Sequence, residues 1–567
     1  MLQLKAQSKR WFFWLEIVLL TLFSGAAWWW IAEHAGGPLF SDELLYMDSA
    51  INHVPDPTII NRYFHIYLFS LFFEFIKDPL VTTKIFWGFL AASTGLLAYF
   101  NARLLSRSVA AGLAAMGLFY AQWQIFRYPG IPWAEFTLMF LVMLIVAAYI
   151  LIPGVDIKWR PALFILLGLL FYLAFRTKET SLPLGIIFVG MGFLDGDNYD
   201  WRHFIKRMAW VLAGVISGLL LMSFLDLIML DDIGFSFRLQ NIREHLKFNL
   251  VSSVVQERNN YFLMANETVD MYSVFLLYLI SGIFLREQHN RYIKLLYLTP
   301  LIFIGFLAAS LLRGPGVMES RYLIPILPLL CILAAQIFTI GANETRVRKA
   351  VALLSYLVGA ALLYFSSDVV ILISEKYQIH KWERANYFYT LLHPAVLCVL
   401  LGMFLFIKRL NLAGKVAALL CLTFIIWPPL WFNYHNLDTR WAANQTERRF
   451  YPFIAFSDEI QLGADFLMGV SDGLPRYEPQ TPQFGMLDDN ELSISRMFNV
   501  YFQQRTRSDQ FAYRQTNELL AEINQYTYVI LSYQEWSLLL PEETALIGET
   551  HKTVLDEQEE IVLLVRQ

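Results

Sequence analysis

Ser41-Asp42-Glu43-Leu44-Leu45-Tyr46-Met47-Asp48 is the stretch on which the reading of this chain turns. It places three carboxylates directly after the first long apolar run, where a membrane helix would surface into water. By itself it has an ordinary explanation. Ser41 suits a helix N-cap, and Asp42 and Glu43 suit the positive end of a helix dipole. Whether these acids are structural or catalytic depends on what the rest of the chain brings beside them.

Immediately upstream, Lys5, Lys9 and Arg10 precede an apolar run from Trp11 to Ala32, about 22 residues and long enough to span a bilayer. A secretory signal has a shorter core and a small-residue cleavage site, so this reads as an uncleaved first helix. The whole chain agrees. Of its 567 residues, 57% are hydrophobic and only 16% charged, with mean hydropathy +0.46. Soluble domains carry about 25% charged residues, so the class is a polytopic α-helical membrane protein. Cys331, Cys398 and Cys421 all sit in apolar runs, which argues against a disulfide framework, a thiol metal site or a thiol nucleophile.

Further apolar spans are expected near 83–102, 109–126, 133–152, 161–175, 181–194, 208–229, 271–285, 293–312, 322–340, 349–373, 387–407 and 414–432, thirteen in all. The charged loops set the orientation. Arg103/Arg107, Lys158/Arg160, Arg202/Lys206/Arg207, Arg286/Arg291/Lys294, Arg346/Arg348/Lys349 and Lys408/Arg409/Lys415 all fall on the side of the N-terminus. The positive-inside rule makes that side cytoplasmic. Tyr63–Ile76 is very apolar but only about 14 residues long, the length of an interfacial or re-entrant helix. Counting it as a span would put every later basic cluster outside, so it is laid on the outer surface with Glu43–Asn52. The large outer loops are then 33–82, 230–270 and 374–386, the second reading as amphipathic helices over the membrane.

Charge divides the chain. Residues 1–432 hold 34 basic and 27 acidic side chains, and residues 433–567 hold 10 and 21. A transmembrane domain, 1–432, is therefore expected to precede a small soluble α/β domain, 433–567, on the outer face. Within the latter, Asp458–Val470 reads as helical and Tyr526–Ser532 and Glu560–Val565 as strands.

The notable polar groups gather at the outer end. Besides Asp42 and Glu43 they are Arg62 and His65; Arg127 and Glu135 in Arg-Tyr-Pro-Gly-Ile-Pro-Trp-Ala-Glu; Arg176, Lys178 and Glu179 in Phe-Arg-Thr-Lys-Glu-Thr-Ser-Leu-Pro; and Arg313, Glu319 and Arg321 before Tyr-Leu-Ile-Pro. Cations there run against the orientation rule. Short outer loops tolerate a few that pair with headgroups or carboxylates. The sharper reading is an anion site at membrane depth, built from Arg176, Lys178 and Arg321, that would hold a lipid phosphate.

Taken together, the acidic pair after the first span, the flat helices of the first outer loop, the Lys-Glu-Thr turn and Arg-Tyr-Leu-Ile-Pro-Ile-Leu-Pro opening a late span resemble one superfamily. It is the GT-C fold of polyprenyl-phosphate-sugar-dependent glycosyltransferases, nearest to the protein O-mannosyltransferase and aminoarabinose transferase group. The resemblance covers residues 1–432, and its thirteen spans and outer C-terminal domain match that branch as well. It implies a catalytic base at Asp42 with Glu43 as its neighbour, and a second outer acid at Glu135. It also implies donor-phosphate contacts at Lys178 and Arg321. Where this superfamily commonly carries His-Pro-Pro, the chain has Arg62-Tyr-Phe-His65, so His65 stands beside the acceptor without an assigned role.

The implied reaction transfers a sugar from a polyprenyl-phosphate donor to a hydroxyl of a protein, lipid or glycan, with membrane lipids around it and no nucleic acid involved. Asp42, Glu43, Glu135 and a histidine would offer hard ligands to a divalent cation, but no spacing demands one and no cofactor is assigned. Two other classes compete. A transporter or flippase of lipid-linked sugars could use the same cations without breaking a bond, although transporters often show repeated halves and charges in mid-span, which this chain does not. A non-catalytic receptor or assembly subunit on the same fold is the third. The expected location is a cell membrane, with the C-terminal domain periplasmic or extracellular.

Overall fold

The computed structural model describes residues 14, 16–29, 41–53, 55–120, 122, 125, 133–196, 198–245, 272–285, 291–313, 320–336, 466–470, 511–515, 523–525, 527–532, 541–556 and 561–566. The expected spans at 349–373, 387–407 and 414–432 and the expected outer loop 374–386 lie outside them.

Helices follow the apolar runs. They are α1 (Glu16–Trp29), α2 (Ser41–Ile51), α3 (Tyr63–Ile76), α4 (Pro79–Ser106), α5 (Val109–Tyr120), α6 (Ala134–Leu151), α7 (Arg160–Phe175), α8 (Trp201–Leu230), α9 (Tyr272–Leu285), α10 (Arg291–Arg313) and α11 (Leu327–Ala335). Five of these stretches are long and apolar enough to cross a membrane, within Val81–Ser106, Ala134–Gly154, Ile157–Phe175, Trp201–Leu230 and Arg291–Ala309. The chain is a multi-pass membrane protein.

Local chemistry sets the helix ends. Asp78 caps α4 by accepting from Val81 N at 2.8 Å, with Pro79 in the first turn, and α4 stops where Arg107 turns left-handed. Asp200 caps α8 by accepting from Arg202 N and His203 N. α3 has the limits the sequence suggested and buries Tyr63, His65, Ile66, Tyr67, Phe69 and Phe73 against α2 and α4. The stretch expected as a span at 181–194 is instead irregular. A 3-10 turn Glu179–Gly185, four α-helical residues and a second 3-10 turn Gly190–Phe193 succeed one another. Pro183 and three glycines deny it a continuous α-helical ladder.

Packing is tightest where side chains are smallest. α7 lies along α8, and a methyl group added at Gly168 or Gly214 would overlap the carbonyl of Val211 or Ile165 respectively. Such backbone approach is how helices associate in lipid, where apolar burial gives no drive. α11 is buried along its whole length, against α5, α9 and α4.

The polar groups sort to two ends of the bundle. At one, Arg160 and Arg207 both reach Asp195, Arg103 pairs with Glu16, and Arg291 lies over the Phe193 ring. This is the end carrying the basic loops. The other end carries the candidate site.

A five-stranded sheet forms from β1 (Phe466–Val470), β2 (Phe511–Gln515), β3 (Tyr528–Ser532), β4 (His551–Asp556) and β5 (Ile561–Arg566), in the order β2-β1-β3-β5-β4. β1 runs parallel to β2 and β3, while β5 is antiparallel to both β3 and β4. A helix α12 (Pro541–Thr550) precedes β4 and buries Ile547. The helix expected over 458–470 is corrected here, because its last five residues are the strand β1. A run as short as Phe-Leu-Met-Gly-Val has no period of its own, and pairing on both sides decides its state.

Candidate active site

The centre of the site is a buried ion pair. Glu135 occupies the first turn of α6, where the helix N-terminus favours a carboxylate, and Lys178 caps the 3-10 turn that follows α7. The Lys178 ammonium donates to Glu135 Oε1, with side-chain exposures of 9% and 3%. The same ammonium lies 4.3 Å from the ring centroid of Tyr322, in the turn Ser320–Ile326 that packs on α6. Three segments far apart in sequence thus meet at one cation.

His65 approaches from α3. Its Nδ1 hydrogen-bonds Thr137 Oγ1 at 2.8 Å, and its ring lies edge-on to Tyr46 at 5.7 Å. Thr137 is two residues beyond Glu135 on α6. Tyr46 lies on α2, the helix whose backbone also carries Asp42. The backbone of Ser41–Leu44 is helical. The side chains of Asp42, Glu43 and Arg321, and Arg127 entirely, lie outside the described residues.

Arg176 is placed differently. Its Nη2 donates to Ile60 O at 2.7 Å, and its Nη1 is 3.4 Å from both Ser236 O and Asn61 Oδ1. The guanidinium lies 5.5 Å from the Phe237 ring centroid. Burial lowers its pKa, against the nearby tyrosines and Asp226. Beside it, Arg62 makes a two-pronged pair with Glu179 at 2.7 and 3.4 Å. Burial raises the Glu179 pKa, but the Arg62 charge and hydrogen bonds, with Lys178 adding, outweigh it and hold the carboxyl well below its usual range.

Two groups complete this end, neither singled out from the sequence as a site residue. Asp226, fully buried near the end of α8, accepts from Tyr67 OH at 2.6 Å, Ser236 Oγ at 2.8 Å and Ser236 N at 2.9 Å. His245 donates from Nδ1 to Thr58 O at 2.6 Å, which leaves Nε2 to accept from Asn61 Nδ2 at 3.2 Å. An acid inside an apolar run was a legible signal for Asp226. His245 gave none beyond its loop.

Among the described residues no three His, Cys, Asp or Glu side chains converge as metal ligands. Chemically, the arrangement offers a buried cation beside a carboxylate and an imidazole, under the helix that carries Asp42. It can hold an anion and orient a hydroxyl.

No protein-family model and no curated protein sequence matches the chain. Two crystal structures of ArnT from Cupriavidus metallidurans do, one in the apo state and one bound to undecaprenyl phosphate. Each is 13% identical and covers 97% of this chain and 97% of its own, with TM-scores of 0.53 and 0.54. At that identity the likeness speaks for the fold, and it is the GT-C fold expected from the motifs.

Proposed function

We propose that this protein is an integral-membrane glycosyltransferase that moves a sugar from a polyprenyl-phosphate donor to a hydroxyl acceptor on the outer face of the membrane. The observation that carries the reading is the buried Lys178–Glu135 pair, gathered with His65 under the helix of Asp42. One structure of this fold, ArnT, holds undecaprenyl phosphate, a lipid of the class such a donor would release.

The acceptor oxygen attacks the anomeric carbon as Asp42 takes its proton, and Glu43 supports that carboxylate. The bond from the anomeric carbon to the phosphate oxygen breaks, and its electron pair leaves on the polyprenyl phosphate. A phosphate monoester has a second pKa near 6, so the leaving group needs little acid help. Lys178 and Arg321 stabilise its growing charge. Glu135 sets the Lys178 ammonium in place, and His65 stands on the acceptor side. Direct displacement inverts the anomeric centre. Thirteen spans put the N-terminus in the cytoplasm and residues 433–567 outside the cell membrane, in the periplasm or beyond it.

The test uses purified protein in nanodiscs with radiolabelled polyprenyl-phosphate sugars, wild type against Asp42→Asn. Transfer or release of sugar by the wild type, abolished in Asp42→Asn while the donor still binds, is the expected result. Binding without turnover, indifferent to Asp42→Asn, overturns the reading in favour of transport.

A further inference from the structure

We infer that Arg176 is a positioning residue, which clasps the turn carrying Lys178 to the first outer loop and does not itself bind the donor phosphate. The inference rests on the glycosyltransferase reading for what Lys178 does. The clasp itself rests on geometry.

Two segments face each other, 57–64 and 176–181, and each sends an arginine into the other. Arg62 reaches from the first to Glu179 in the second. Arg176 reaches from the second to Ile60 O and Asn61 Oδ1 in the first, while its own carbonyl accepts from Phe64 N at 3.3 Å. The contact at Ser236 O ties in a third segment, which Asp226 fixes through two hydrogen bonds from Ser236. Lys178 stands between the two crossing points, two residues after Arg176 and directly before Glu179. His65 directly follows Phe64. Closing the clasp therefore sets both residues that face Glu135 and Thr137.

The guanidinium is engaged with main-chain oxygens on two sides, and Arg176 as a whole is only 4% exposed. Its Nε has no partner among the described residues, and is itself sealed from solvent. Carbonyls on two segments need the rigid planar fork of an arginine. A lysine brings a single ammonium centre that cannot span them. A phosphate ligand would be far more tolerant, because lysine is itself a good partner for phosphate.

The experiment compares Arg176→Lys, Arg176→Gln, Lys178→Met and the double variant Arg176→Gln/Lys178→Met, as full-length protein in nanodiscs. Donor affinity, turnover and melting temperature are measured, together with hydrogen exchange over residues 57–64 without ligand. Losing hydrogen bonds from a charged group should weaken donor binding about tenfold or more. The loss should be equal in Arg176→Lys and Arg176→Gln, and absent when Lys178 is already Met. Exchange over 57–64 should speed up in both Arg176 variants.

Near wild-type affinity in Arg176→Lys, or losses that multiply in the double variant, would make Arg176 a direct phosphate ligand. Unchanged exchange over 57–64 would equally overturn the clasp. That arm needs no donor, so it decides even if the wild type binds no polyprenyl-phosphate sugar, a result that would sink the transferase reading alone. If Arg176→Gln does not fold, Arg176→Lys carries the test.

Discussion

Lys178 and Glu135 form a buried ion pair across 43 residues of sequence, joining the turn after α7 to the first turn of α6. Its consequence is asymmetric. Two desolvated charges are tolerable together, whereas either alone is an uncompensated charge in a low-dielectric setting. Glu135→Gln or Lys178→Met is expected to lower stability by about 3–5 kcal/mol, and the double variant to recover much of that. Thermal unfolding of the singles and the double in one detergent checks it. Losses that simply add would mean the two side chains do not work as a pair.

Asp226 accepts three hydrogen bonds, two from Ser236 and one from Tyr67, with no exposed surface. Replacing Asp226 with Ala orphans those donors. The expected cost is about 1–3 kcal/mol for each buried donor left unpaired, concentrated in the segment 231–237. Limited proteolysis should cut there first in Asp226→Ala, and Tyr67→Phe should give a smaller effect of the same kind. Cleavage elsewhere, with 231–237 still protected, would contradict the role assigned to Asp226.

His245 gives the outer end an acid sensitivity. Burial lowers its pKa from the ordinary 6.5, against the hydrogen bond to Thr58 and the charge of Glu179. The folded protein thus binds fewer protons at this site than the unfolded chain. The stability it contributes is complete above pH 6.5 and is lost as pH falls from there through the lowered folded value. Protonation also places a donor at Nε2, opposite the Asn61 amide that now donates to it. A melting-temperature series below pH 6.5 should decline less steeply in His245→Gln than in the wild type. Parallel curves would remove His245 from the explanation.

Gly168 and Gly214 let α7 and α8 touch backbone to backbone. Gly168→Leu forces the helices apart and should destabilise the bundle by about 1–3 kcal/mol through overpacking. A control at Gly154, where an added methyl meets nothing within 4 Å, should be close to neutral. Equal melting temperatures for the two variants would count against the close-packed seam.

Part of this was legible in the sequence, and particular residues show why. Tyr63–Ile76 could be delimited because a mostly apolar stretch bounded by Arg62 and Lys77-Asp78 has only one economical conformation in or on a membrane. Lys178 and Glu135 stood out as charges where the orientation rule disfavours or isolates them. That they face one another was not legible, since no local pattern links residues on separate helices. Arg62 and Glu179 are 117 positions apart and meet only through the fold. Arg176 shows the limit most sharply. Its type and place suggested a phosphate ligand, and only the fold reveals that its guanidinium lies against Ile60 O, Asn61 Oδ1 and Ser236 O on two other segments.

The sequence by itself determined that this chain lives in a membrane and where most of its described helices lie along the chain. Those properties follow from water-to-lipid transfer and from backbone hydrogen bonding, which are settled within a segment. Only the tertiary structure decided which charge meets which, and it made a strand of Phe466–Val470. Those outcomes depend on the angles and close approaches of packed elements. A difference of a few ångströms there separates a buried pair from an unpaired charge, and nothing in the order of residues along one helix records it.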